Sequence, residues 1–142
     1  MKIQQISLFA ENKPGHIAAP ARLLAREGID IRSMYLADTQ QYGILRMIVS
    51  DWRKAAEVLE AHEFVVKVTE VLAVEVPDRP GGLADVLAAL DGTGINIEYM
   101  YGFPYPLGDE AILIFRFADP DAAIAHLQAA GINLRASEEL LR

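Results

Sequence analysis

The chain repeats itself, and that repeat constrains it more than any other property. Shifting the sequence by 66 residues places Asn12-Lys13-Pro14-Gly15 on Asp78-Arg79-Pro80-Gly81, Gly28-Ile29-Asp30-Ile31 on Gly94-Ile95-Asn96-Ile97, and Met34-Tyr35 on Met100-Tyr101. Residues 12–35 give 9 identities in 24 positions at that offset, without a gap. Ordinary composition would give about one or two. Two extra residues in the second copy then move the offset to 68, where Ile44-Leu45, Asp51, Ala55, Leu59 and Ala61 meet Ile112-Leu113, Asp119, Ala123, Leu127 and Ala129. A tandem duplication therefore spans nearly the whole chain, with one copy over residues 1–69 and the other over 70–142. Two copies of a small domain are expected to pack as a pseudo-dimer with sites between them.

Each copy alternates between the two periodicities of regular structure. Ile3, Ile6, Leu8 and Ala10 mark an inward strand face. After Asn12-Lys13-Pro14-Gly15, helical spacing puts Ile17, Ala21, Leu24 and Ala25 on one side, and Gly28 ends the helix in a positive-φ position. Residues 29–37 and 44–49 follow as strands around a polar turn at 38–43. Asp51 caps a second helix carrying Ala55, Ala56, Leu59 and His62, and residues 64–68 form a fourth strand. The second copy repeats this as strand 71–76, helix 81–91, strands 95–103 and 110–117, helix 120–130 and strand 132–136. There Asp119-Pro120 supplies a capping carboxylate and a proline suited to the first helical position. The order βαββαβ, twice, defines an α+β chain of two ferredoxin-like units. Pro20 is the irregularity: inside a helix it would lose an N–H and clash with the carbonyl of His16, so the first helix starts a turn late or kinks.

Composition narrows the function. A chain without cysteine offers neither disulfides nor thiolate chemistry. Its net charge of −7 disfavours a nucleic-acid backbone as partner. No membrane-spanning or signal-like apolar run is present, so neither membrane nor nucleic acid is expected as a partner, and the cytoplasm is the expected location. His16, His62 and His126 have no counterparts across the repeat, and His62-Glu63 lacks a partner at ligand spacing, so no metal site is read. Neither a nucleophile elbow nor a phosphate loop occurs. No catalytic residues and no cofactor are assigned. Arg22, Arg26 and Arg32, with Asp85, Asp91, Asp109 and Glu110, are taken as solvated or capping charges. Tyr35, Tyr99 and Tyr101 are read as packing residues.

The Pro-Gly loops differ from everything else in the chain. Each joins a strand to a helix, so unpaired helix-terminal amides lie just beyond it, suited to a carboxylate or phosphate. Gly15 and Gly81 allow close approach to the main chain. Asn12 and Asp78 either reach a ligand or cap the following helix.

On these segments, Glu11-Asn12-Lys13-Pro14-Gly15 and Gly28-Ile29-Asp30-Ile31 with their counterparts Pro77-Asp78-Arg79-Pro80-Gly81 and Gly94-Ile95-Asn96-Ile97, the chain resembles ACT domains, the amino-acid-sensing modules of many biosynthetic enzymes. Ile97-Glu98-Tyr99-Met100-Tyr101-Gly102 and Gly43-Ile44-Leu45-Arg46-Met47 are similar to those of stand-alone tandem ACT proteins. The resemblance implies a non-catalytic regulatory protein that holds a small amino acid between its two units, with the loop of one facing the second strand of the other. Asn12, Lys13, Pro14, Gly15, His16 and Ile17 would then face Asn96 and Ile97, and Asp78, Gly81, Gly82 and Leu83 would face Asp30 and Ile31. Two amides suit both ends of a zwitterion. Two carboxylates repel unless a cation lies between them, with Arg79 available to moderate them. The Asn12/Asn96 site is thus expected to be the general amino-acid site, and the Asp30/Asp78 site empty or cation-selective. Asparagine-lined pockets fit serine, glycine or threonine, and added carboxylates fit histidine or lysine. A homodimer is expected. Two alternatives stand beside this: a regulatory subunit docked on a biosynthetic enzyme of the acetolactate-synthase type, and an interaction module without ligand.

Overall fold

The computed structural model describes residues 1–38 and 42–141. The elements run β1 (Ile3–Glu11), α1 (Ala18–Arg26), β2 (Ile31–Asp38), β3 (Tyr42–Val49), α2 (Trp52–Ala61), β4 (Val65–Pro77), α3 (Gly82–Ala88), β5 (Ile97–Leu107), β6 (Glu110–Phe117), α4 (Pro120–Ala129), β7 (Leu134–Arg135) and α5 (Ser137–Leu140). The βαββαβ order is present twice, in ferredoxin-like α+β units. The expected strands 64–68 and 71–76 are one strand, β4. The turn between β2 and β3 lies partly outside the described residues, but Asp38 pairs with Gly43 across it. The chain divides into two compact units, one of Gln4–Thr69 and the other of Glu70–Leu140 with Met1–Ile3, so the division falls inside β4.

In the N-terminal unit β3 pairs antiparallel with both β1 and β2, Leu8 opposite Leu45 and Met34 opposite Met47. One sheet face supplies Ile6, Leu8, Leu45, Met47 and Val49 to a core closed by Leu23 and Leu24 of α1 and Ala55 and Leu59 of α2. Leu24 and Leu59 are fully buried, and burial of such a leucine stabilises by about 1.5–3 kcal/mol. The buried face of α1 is Pro20, Leu23 and Leu24, whereas the expected Ala25 is exposed. The interruption at Pro20 shifts the start of the helix, and the face with it. His62, expected on the inward side of α2, is instead its exposed C-cap.

In the C-terminal unit β6 pairs antiparallel with β4 and β5, and β7 adds to β4 through Ala73–Arg135 and Val74–Leu134. Leu72, Val74, Val76, Phe115 and Phe117 meet Val86 and Leu90 from the α3 side and Ala123 and Leu127 of α4. The rings of Phe115 and Phe117 stack at 5.5 Å.

Helix ends show the duplication atom by atom. Asp51 and Asp119 cap α2 and α4 by accepting the Lys54 and Ala122 N–H groups, each at 3.1 Å. After α1, α2 and α4 the amide two residues beyond the cap returns to the carbonyl a turn and a half earlier: Ile29 to Leu24, Phe64 to Leu59, Ile132 to Leu127. This closure needs a left-handed residue, supplied by Gly28, Glu63 and Gly131 at φ 69, 67 and 76°. Glu63 is the only non-glycine residue with positive φ among those described. Helix α3 stops at Ala88, before the expected 91. Thr93 tightens the connection from there to β5, its hydroxyl donating to the Leu90 carbonyl and accepting the Ile95 N–H.

Candidate functional site

The two Pro-Gly loops begin alike. The Lys13 N–H donates to the Glu11 carbonyl and the Arg79 N–H to the Pro77 carbonyl, both at 2.9 Å. Gly15 and Gly81 both have φ of 85°, a left-handed conformation open to glycine and strained for other residues. Beyond that glycine the loops diverge. Helix α3 starts at Gly82, while α1 waits until Ala18, the counterpart of Ala84. The proline explains the delay: Pro20 has no N–H to give the His16 carbonyl, whereas Val86, its counterpart, has one. Of the two alternatives for Pro20, the late start is the one observed.

Neither helix carries a side-chain cap at its N-terminus, where Ile17 and Gly81 hold the cap positions. Asn12 and Asp78 are therefore not capping residues. His16 turns its Nδ1 onto the Lys13 carbonyl. Its counterpart Gly82 has no room for a side chain, because a Cβ there would lie 1.9 Å from the Pro77 carbonyl oxygen.

The residues expected to bind a ligand occupy two loops, the first turn of α3 and two strand starts. Asn12, Lys13, Pro14 and Gly15 are exposed and His16 and Ile17 half-buried on the β1–α1 loop. Asp78 and Gly81 are exposed on the β4–α3 loop, with Gly82 buried and Leu83 exposed as α3 begins. Asp30 and Asn96 are exposed just ahead of β2 and β5, and their carbonyls accept the Ser50 and Ala118 N–H groups at 2.9 and 3.1 Å. Ile31 and Ile97 come next, each packed against the core of its own unit. Asn12 and Asp30 thus belong to one unit, and Asp78 and Asn96 to the other.

Charge pairing differs from the expectation. Arg32 is not a freely solvated charge: its side chain is largely buried and sits 3.2 Å from the Asp30 carboxylate. Arg79 binds Asp85 at 2.6 Å rather than moderating Asp78. Lys13 pairs with Glu11 at 3.3 Å. Tyr101 is buried, as a packing residue should be, but Tyr35 accepts a hydrogen bond from Arg46 through its hydroxyl.

Each loop borders a groove. In the N-terminal unit a groove of about 350 Å³ is lined by Lys13, Pro14, Gly15 and His16 together with Phe9, Ala10, Glu11, Ala19 and Phe64. In the C-terminal unit a groove of about 580 Å³ includes Glu75, Pro77, Arg79, Asp85, Glu110 and Ile132. Phe9/Glu75, Glu11/Pro77, Lys13/Arg79 and Ala19/Asp85 are counterparts at the offset of 66, and Phe64/Ile132 at 68. The same depression therefore occurs twice with different walls. Phe9 and Phe64 were missing from the site drawn from sequence. The signal for Phe9 was its phase, a large apolar residue out of step with Ile6 and Leu8. Among the described residues no group of three or more His, Asp or Glu converges to hold a metal, and no helix is long and apolar enough to cross a membrane.

A tandem pair of ferredoxin-like units, each presenting a Pro-Gly loop ahead of an uncapped helix, defines the class. The chain matches the family profile of the ACT domain pair over residues 1–141, and it belongs to that family. It is similar to a crystal structure of a protein from Bacteroides thetaiotaomicron, with 35% identity, a TM-score of 0.92, and coverage of 100% of this chain and 97% of that one. The ligand-free regulatory subunit of aspartate kinase from Thermus thermophilus is similar at 22% identity and a TM-score of 0.64, over 90% of both chains. Aspartate kinase from Synechocystis is similar at 23% identity and a TM-score of 0.60, over 94% of this chain and 26% of that one. At these last two identities the likeness is one of fold. No curated protein matches the chain in sequence.

Proposed function

We propose that this ACT domain pair is a non-catalytic regulatory protein that binds a free amino acid, and that the Pro-Gly loop of the N-terminal unit is the principal site. The observation that carries this reading is the combination at that loop of a left-handed Gly15, an uncapped helix start, and an adjoining groove. The Ala18 N–H at the start of α1 and the Lys13 ammonium offer a donor and positive charge to a carboxylate, the Ala19 N–H being given to the Gly15 carbonyl and Pro20 having none, and Asn12 offers both a donor and an acceptor. The C-terminal loop is the weaker candidate, since Gly82 is pressed onto the Pro77 carbonyl and Arg79 is held by Asp85. In this proposal Asp78, Gly81, Gly82 and Leu83 of the C-terminal loop form the empty or cation-selective site. Binding would regulate through a difference in affinity between two states of the protein, its homodimer or a partner enzyme.

Thermal melting of the chain with each of the twenty amino acids at millimolar concentration tests the reading. A ligand at one hundred times its Kd adds about 2.7 kcal/mol, which raises Tm by several degrees. The expected result is a shift from one chemical class of amino acid, abolished in Asn12→Ala and retained in Asp78→Ala. A flat response to all twenty would turn the assignment to an interaction module without ligand.

A further inference from the structure

The walls of the N-terminal groove carry information beyond the loop beside it. Phe9 lies in a strand, yet 42% of its surface is exposed. Ala10, Ala19 and Phe64 extend the same apolar lining. At the rim stand one anion and one cation, Glu11 and Lys13, 3.3 Å apart. An amino-acid zwitterion carries the complementary pair of charges on groups attached to one carbon, and an apolar side chain on that carbon would cover Phe9. The groove's volume of about 350 Å³ is at the lower end of small-ligand sites.

The second copy isolates the feature that matters. There Glu75 takes the place of Phe9 and lies 3.0 Å from Arg135, while Asp85 replaces Ala19 and is bound to Arg79. A wall carrying Glu75, Arg79, Asp85 and Glu110 gains nothing from an apolar side chain and would lose hydration under one. The C-terminal groove, although larger, is built against such a ligand.

We infer that the N-terminal groove selects an amino acid with a large apolar side chain, aliphatic or aromatic, over serine, glycine or threonine. This rests on the amino-acid-binding reading above and departs from the small polar ligand that an asparagine-lined pocket implies. The ligand's carboxylate meets Lys13 and the Ala18 N–H at the start of α1, its ammonium meets Glu11, and its side chain lies on Phe9 and Phe64.

Isothermal titration of the full chain with leucine, phenylalanine, serine and glycine tests this, on the native protein and on Phe9→Glu and Phe9→Ala. Phe9→Glu copies the second unit's residue. Because Phe9 is partly exposed, the melting midpoint of at least the alanine variant should stay close to native and establish that it folds. The expected result is tighter binding of leucine or phenylalanine than of serine or glycine, weakened at least tenfold by Phe9→Glu and several-fold by Phe9→Ala. Preferential binding of serine or glycine would overturn the inference and leave amino-acid binding standing. So would apolar binding indifferent to both substitutions. No binding of any amino acid, in the titration or the melting series, would overturn both.

Discussion

The two grooves occupy the same place in two copies of one fold and have become chemically opposite. In the N-terminal copy the wall is Phe9, Ala19 and Phe64, and the charges stand at the rim. In the C-terminal copy Glu75, Arg79, Asp85 and Glu110 line the groove, Glu75 paired with Arg135 and Arg79 with Asp85. The second groove is the larger, but its lining carries these charges where the first has an apolar wall. The polarity of the wall, more than volume, separates the two grooves.

The largest effect that sharpens this comparison belongs to the loop glycine. Gly82→Ala forces a Cβ against the Pro77 carbonyl and should destabilise by about 3 kcal/mol, read as a lower denaturant midpoint. The matching change His16→Ala should cost no more than about 1 kcal/mol. Equal costs would mean that the two loops are built alike after all. Next comes the cap that closes α2. Glu63 holds a left-handed conformation that glycine holds after α4, so Glu63→Gly should stabilise by about 0.5–1 kcal/mol and raise Tm by a few degrees. Gly131→Glu should do the reverse. The smallest effect is the coupling of Arg79 with Asp85. Both side chains are more than half exposed, and a double-mutant cycle should return about 0.2–1 kcal/mol. A coupling near zero would free Arg79 for a ligand and weaken the contrast between the grooves.

Much of the architecture was legible because its signals are local. Alternation, helical spacing, Asp51 and Asp119 as caps, and Gly28 as a helix terminator each depend on a few neighbouring residues. Even Pro20 announced an irregularity, although choosing between a delay and a kink needed the position of α1. Less legible were features that depend on packing or on distant partners. Ala25 and His62 fit a helical stripe by spacing but fall outside the surface their helices bury. Arg32 resembled a solvated charge until the chain turned it back on Asp30. The short α5 has too few residues for a period to show. The left-handed Glu63 gives no sign in its own segment and emerges only against Gly131. The groove was the hardest to see, because Phe9 and Phe64 are brought together by a fold that no local pattern contains.

Gly82 also fixes the direction in which the two copies can drift. Its backbone has closed on the end of β4 until no side chain fits, so every single replacement at 82 meets the same obstruction. The N-terminal copy, with His16 already in that slot and its helix set back by two residues, remains free to vary there. Divergence between the halves therefore works as a ratchet: the second loop cannot regain its sister's form one substitution at a time, because the strand end and the helix start would have to move together.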